Sequence, residues 1–429
     1  MPPLRGGVDV PHFKTKTTKW FVFSEPRLPD QVPSCSWTYL PTCVPNRLGP
    51  QLAAESSGNA ARCTGRSRAE TVYCVGFSTR HSFVTAILVG LFGLALCSAR
   101  DGIIHNDLVW RDTAGKEIWC NGGHIIREGD VFYWIGYDTG PGRWPWRINL
   151  YSSRNLADWK FENIVIRMEG QFARMGWAGR PALLHCAATG KYVIVFEADS
   201  PQQWKRHKVG FAVGERIDGP YELVSTESPE GTRSTGDQSV YQEGEKAYVL
   251  ATMDRDIGGK KYMNQSLAIF ELSRDFVRIE RKVFEGFDNV SGNTKVVPRE
   301  HSSREASHII KVGGVYYWLS SALVGWNSSA TMYATATNLA GPWSDLKLLR
   351  TDPPSKDSFN TQHDFVVPVT GTEVTTYLYV GDRYSQWTQR GPGRNIFLPL
   401  VWENGEPVLR WHKDWKIDVT TGRFSAASE

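Results

Sequence analysis

From Asn121 onward the chain alternates short apolar runs with breaks made of Gly, Asn and Asp. Val131-Phe132-Tyr133-Trp134 and Val315-Tyr316-Tyr317-Trp318 are β-branched and aromatic runs of strand length. Each follows another apolar run and a Gly-containing turn. This pattern predicts hairpins. It also repeats: NGGHIIREGDVFYW from Asn121 returns as EASHIIKVGGVYYW from Glu305, an offset of 305 − 121 = 184. Three further segments fall into the same register, led by Gly179, Asp237 and Gln362, so the five leaders are spaced 58, 58, 68 and 57 residues apart. A weaker second repeat (Leu150-Tyr151, Val209-Gly210-Phe211, Leu267-Ala268-Ile269-Phe270, Met332-Tyr333) supplies further strands in the units. Gly-Pro-aromatic turns follow twice, at Gly219 and Gly341. Units of about four strands at a fixed period predict an all-β, five-bladed propeller over residues 100–429.

Composition changes the picture mainly at the N-terminus. The 17 Trp suit blades that pack through large flat rings. The tail with Trp402, Trp411 and Trp415 reads as the closing strands of the last unit. Residues 1–99 hold five of the seven Cys and show no repeat register. Their ten Lys/Arg against five Asp/Glu give +5, so the remainder carries 4 − 5 = −1. A near-neutral propeller has no basic footprint for nucleic acid. Residues 1–82 read as a largely unstructured leader. Residues 83–99, FVTAILVGLFGLALCSA, follow Arg80-His81 and end in small residues, the pattern of a signal peptide cleaved after Ala99. The same run, if retained, is a membrane anchor at the short limit for a span. Either route places the propeller in an extracytoplasmic compartment, secreted or anchored, and Asn-x-Ser sequons at Asn264, Asn289 and Asn327 agree with it. Cys120 and Cys186 are expected to stay unpaired, and no ligand spacing specifies a structural zinc.

A propeller gathers the inner strand of every blade about one axis, so Asn121, Gly179, Asp237, Glu305 and Gln362 are expected to form a ring at one mouth. Two carboxylates in such a ring suit glycosidic cleavage, where one group donates a proton and another handles water. Mutual repulsion and partial burial raise one of their pKa values into the working range. The competing expectation is that Asp237 and Glu305 cap strands or pair with Arg180, Arg299 or Arg304. His124, His185, His308 and His363 are expected to be buried, hydrogen-bonded residues rather than metal ligands.

Residues 101–420 resemble glycoside hydrolase family 43, in the branch containing exo-β-1,3-galactanases. The resemblance rests on Arg180-Pro181 with Thr189-Gly190-Lys191-Tyr192, Arg304-Glu305-Ala306, Gly325-Trp326-Asn327, Gly341-Pro342-Trp343, Asn360-Thr361-Gln362, Gly381-Asp382-Arg383-Tyr384 and Leu398-Pro399-Leu400. It implies that Glu305 is the general acid, that Asp237 tunes its pKa and holds the sugar, and that Gln362 holds the water. Asn121 stands where most of the family has an Asp base, and Gly179 stands where the branch carries Glu. Glu197, Asp199 and Asp138 are candidate substitutes for that Glu, each also readable as a solvated loop acid. Trp326 is a candidate sugar platform, and a glycan on Asn327 would crowd it. Asp382 and Arg383 either pair structurally or orient a sugar hydroxyl, and Arg180 and Asn121 join them as substrate-binding candidates.

The expectation is a monomeric inverting glycosidase that releases galactose from β-1,3-galactan, with a polysaccharide or oligosaccharide as its partner and no cofactor. A structural cation on the axis, held by some relatives, is not specified by any residue pattern here. Two alternatives stand beside this reading: a non-catalytic carbohydrate-binding propeller, and an arabinofuranosidase or xylosidase.

Overall fold

The computed structural model describes residues 102–142, 147–199, 207–229, 234–257, 260–287, 304–384 and 393–427. The leader, the hydrophobic run 83–99, Asn289 and Arg299 lie outside them. The described chain is all β apart from single-turn structure such as Gly170–Phe172. Its strands form a propeller arrangement of six sheets, and this corrects the expectation of five. Four sheets are four-stranded meanders, led by Asn121–Glu128, Trp177–Cys186, Thr235–Glu243 and Arg304–Val312. The fifth starts at Gln362–Thr370 and gains a fifth strand, Arg350–Asp352, which adds in parallel to Glu406–Arg410. The sixth joins Ile104–His105, Asp414–Ile417 and Phe424–Ala426. Its strands are two to four residues long and carry no repeat, so the sequence period does not contain them. Trp415, expected in the last repeat unit, belongs to this small sheet.

Five apolar cores separate the five longer sheets. The core between the fifth and first sheets holds Trp134 and Tyr151 from one side and Phe365, Val380 and Phe397 from the other. Trp134 lies edge-on to Phe397 with centroids 5.4 Å apart. The small sheet seals this seam with Ile104, Trp415 and Ile417. Tyr221 and Trp343, from the Gly-Pro-aromatic turns, bury their rings in two of the other cores. Cys120 and Cys186 are both free and buried.

The five inner strands share one irregularity that decides where the ring residues point. Each departs from regular pairing within three residues of its leader: at 121/124, 179/182, 235/238, 305/308 and 363/365. Such bulges re-aim side chains and recur beside active sites. In three sheets the residue after the leader takes positive φ: Gly122 at 54°, Arg180 at 46° and Ala306 at 49°. At Gly122 a Cβ would lie 2.2 Å from the Tyr137 ring, so only glycine fits. Arg180 has no such freedom, and its left-handed backbone is held by what its side chain binds.

Chain closure depends on Asn106, which is fully buried. Its Nδ2 donates to the carbonyls of Phe397 and His412, both at 2.8 Å, and its Oδ1 accepts the Phe397 N–H at 3.0 Å. Asn106→Ala strands these three backbone groups. At about 1 kcal/mol or more for each orphaned group, a loss of about 2–4 kcal/mol is expected. Chemical denaturation would measure it, and an unchanged midpoint would show that the seam is not closed in this way.

Candidate active site

Near the bulges the inner strands, with the strand Thr375–Asp382, bring a cluster of acids together around a single buried guanidinium. Arg180 donates through Nη2 to Asp237 Oδ2 at 2.7 Å and through Nη1 to Asp364 Oδ1 at 2.6 Å. Burial works against its charge, but Asp237, then Tyr384 and Asp364, push its pKa upward and keep it protonated. Asp364 also accepts the Gly123 N–H at 2.9 Å. Asp382 accepts from Asn121 Nδ2 at 3.0 Å, the Gly122 N–H at 2.7 Å and Asn395 Nδ2 at 2.7 Å. Burial raises the pKa of both aspartates, and for Asp364 the neighbouring Asp382 adds to the rise.

Glu305 stands beside this cluster, buried on its inner strand. Its Oε1 accepts from Gln362 Nε2 at 3.0 Å, and the same amide donates to the Gly325 carbonyl at 3.1 Å. Burial first, and then the charge of Asp237, hold its pKa well above the ordinary carboxylate value. Arg180 and a hydrogen bond from the Val324 backbone pull the other way without reversing the shift. A buried carboxyl whose pKa is held up beside an ionisable partner is the arrangement a general acid needs.

The loop that supplies Val324 and Gly325 continues to Trp326, 38% exposed, whose ring lies edge-on to Tyr384 with centroids 4.9 Å apart. Tyr384 shares a 2.6 Å hydroxyl contact with Tyr137. An apolar face is therefore available beside the acid. Asn327 is exposed and donates to the Val324 carbonyl at 3.0 Å.

Of the residues expected in the ring, the structure brings Glu305 and Gln362 into contact and joins Asp237 to Arg180. Arg304 instead turns to Ser320 and the Ala330 carbonyl. Asn121 is fully buried: its amide donates to Asp382 and the Arg394 carbonyl and accepts from Thr139 at 2.8 Å. Arg383 pairs with Asp107, donates to the Phe359 carbonyl and lies over the Trp411 ring. Asp138 is committed to Arg147 at 2.9 Å. Glu197 is buried and ion-paired to His207 at 2.7 Å. Asp199 is also buried.

The sequence reading missed Asp364 and His207. Asp364 lies two residues beyond Gln362 at the 363/365 bulge, where the period-two parity of a strand gives no guide to side-chain direction. His207 carried no local signal, because its setting is created by two sheets.

The inner strands also enclose a cavity of about 380 Å³, lined by His124, Leu183, Val240, His308 and Val366, so all five meet around one axis. Burial lowers the pKa of His124 to about 4 and that of His363 to about 3, and it depresses that of His308, so these imidazoles are neutral. His185, expected to be buried, is instead half-exposed and paired with Glu128 at 3.0 Å. Among the described residues no group of three or more His, Cys, Asp or Glu is placed to hold a metal.

The sequence profile of glycosyl hydrolases family 43 matches residues 123–407, about two thirds of the chain. No curated protein sequence matches it. Among solved structures the fold is similar to 1,3Gal43A, an exo-β-1,3-galactanase from Clostridium thermocellum, at 24% identity and a TM-score of 0.65, covering 76% of this chain and 69% of that one. An exo-β-1,3-galactanase from Phanerochaete chrysosporium, crystallised with β-1,3-galactotriose, is 26% identical with a TM-score of 0.63, over 76% and 71% of the two chains. A putative exo-β-1,3-galactanase from Bifidobacterium bifidum is 27% identical with a TM-score of 0.59, over 71% and 95%. With its profile spanning the inner strands and the acid cluster, the chain belongs to glycosyl hydrolases family 43, the enzymes that hydrolyse O-glycosyl bonds.

Proposed function

We propose that the chain hydrolyses β-1,3-linked galactan from its non-reducing end, with inversion at the anomeric carbon. The observation that carries this reading is Glu305, buried beside Asp237 with its pKa held well above the ordinary carboxylate value, and with Gln362 in direct contact. Glu305 donates its proton to the glycosidic oxygen as the C1–O bond breaks. Water attacks C1 from the opposite face, and its proton passes to solvent. Asp237, fixed by Arg180, keeps the acid protonated until that step and accepts from a sugar hydroxyl.

Gln362 is the group that differs most from a simple two-carboxylate scheme. Inverting enzymes separate acid and base by about 6.5–9.5 Å to admit water. Here the amide nitrogen closes on the acid at 3.0 Å, so the sugar must enter between the two and part them. The amide carbonyl is then the acceptor that orients water, without the basicity of a carboxylate. Trp326 offers its ring to the apolar face of the galactosyl unit. All of these steps use side chains of this chain alone, acting as a monomer.

The closed Glu305–Gln362 contact and the bare Gly179 favour one alternative, a propeller that binds sugar without cleaving it. Galactose release from β-1,3-galactotriose separates the two: turnover supports the glycosidase, and binding without release supports the alternative. The hydrophobic run 83–99 supports display outside the cytoplasm, secreted or anchored.

Two outcomes follow from the acid assignment. Glu305→Gln is expected to lower kcat on galactotriose by about 10²–10⁴-fold. The loss should be smaller on a nitrophenyl galactoside, whose leaving group needs no proton, and equal losses on both would remove Glu305 from the acid role. Asp237→Asn deletes the negative charge that raises the Glu305 pKa, so the alkaline limb of kcat/KM should move to lower pH. The sign follows from the acid being active only when protonated: a lower pKa ends activity sooner as pH rises. A limb that stays in place would dissociate Asp237 from the acid.

A further inference from the structure

Of the five ring positions, Gly179 alone brings no side chain to the mouth. Its Cα partner on the adjacent strand is Glu197. Directly paired residues on neighbouring strands project to the same face of a sheet, so Glu197 rises where a side chain at 179 would stand. Its carboxylate is buried and its charge acts on Glu305. It forms an ion pair with His207 Nδ1 at 2.7 Å.

His207 is fixed from the neighbouring sheet as well. Its N–H donates to Ser234 Oγ at 3.0 Å, and its carbonyl accepts from the Thr235 N–H at 3.0 Å and the Thr235 hydroxyl at 3.3 Å. Ser234 and Thr235 immediately precede Gly236 and the ring residue Asp237. The His207 backbone is thereby held where the second and third sheets meet, and its side chain, paired with Glu197, is 24% exposed. The acids that act on it are Glu197 and Asp199 from the second sheet and Asp237 from the third. Burial works against its charge, but these acids raise its pKa to about 9, so it is an imidazolium at neutral pH.

We propose that His207 is a substrate-binding residue of this site, donating from its second ring nitrogen to a hydroxyl oxygen of the galactosyl unit. Glu197 is the positioning residue, supplying from the second strand the polar group that Gly179 cannot supply from the first. A charged donor in a partly desolvated mouth suits a sugar hydroxyl, because hydrogen bonds to ionised groups are the stronger ones. The inference rests on the glycosidase reading of the same site.

The test uses the full chain with Glu305→Gln to stop turnover and β-1,3-galactotriose as the probe. Adding His207→Ala is expected to weaken binding by about tenfold, the effect of one charge-assisted hydrogen bond. His207→Gln, which keeps a donor, should recover part of that loss. In the Glu305→Gln chain, galactotriose should shift the His207 ring resonances, and Glu197→Gln should move the His207 titration midpoint down from about 9. Unchanged affinity in His207→Ala together with unmoved His207 resonances would overturn the inference and leave the glycosidase reading standing. Failure of the Glu305→Gln protein to bind galactotriose at all would overturn both.

Discussion

One buried guanidinium makes the acid cluster of this site tenable. Glu305, Asp364 and Asp382 are buried, and Asp237 lies beside them. Left to themselves these groups would repel one another and lose the solvation that charge requires. Arg180 pairs with two of them at once, at 2.6 and 2.7 Å, and it does so from a left-handed backbone position that an Arg seldom adopts. The two ion pairs and the bulge support each other: the bulge aims Arg180 inward, and the pairs hold its strained backbone. Removing one partner of such a buried arrangement typically costs about 3–5 kcal/mol.

This arrangement also divides labour among the carboxylates. Arg180 hydrogen-bonds Asp237 and Asp364, whereas Glu305 accepts from the neutral amide of Gln362. The negative charge of Asp237 therefore acts on Glu305 more strongly than the compensation from Arg180 does, and with burial it holds the Glu305 pKa up. Asp382 is satisfied by amides from Asn121, Asn395 and the Gly122 backbone. Asn121 thus serves the cluster as a buried donor, a role an ionised Asp at that position could not fill, because a carboxylate only accepts.

Much of this was legible in the sequence, and the parts that were not share a physical cause. The 184-residue echo between Asn121 and Glu305 placed all five leaders at one phase, and the common cavity along the inner strands agrees with that placement. Propeller repetition writes convergence into the chain as a period. The small sixth sheet escaped because its strands are short and come from distant parts of the chain, with Ile104 pairing to Trp415. Asp364 and His207 escaped because their roles come from contacts across sheets: Arg180 reaches Asp364 over 184 positions, and His207 is held by Ser234 and Thr235. Arg383 was open to two readings, a structural pair with Asp382 or a contact to a sugar hydroxyl, and its ion pair with Asp107 is a third arrangement that its motif did not signal.

The protonation state of Glu305 tests the account most directly. Infrared difference spectra between the native chain and Glu305→Gln, taken across a pH titration, isolate its carboxyl stretch. The account predicts a protonated carboxyl band that persists through neutral pH, because burial and Asp237 hold the proton in place. A carboxylate band already complete near the ordinary glutamate value of about 4.3 would contradict it.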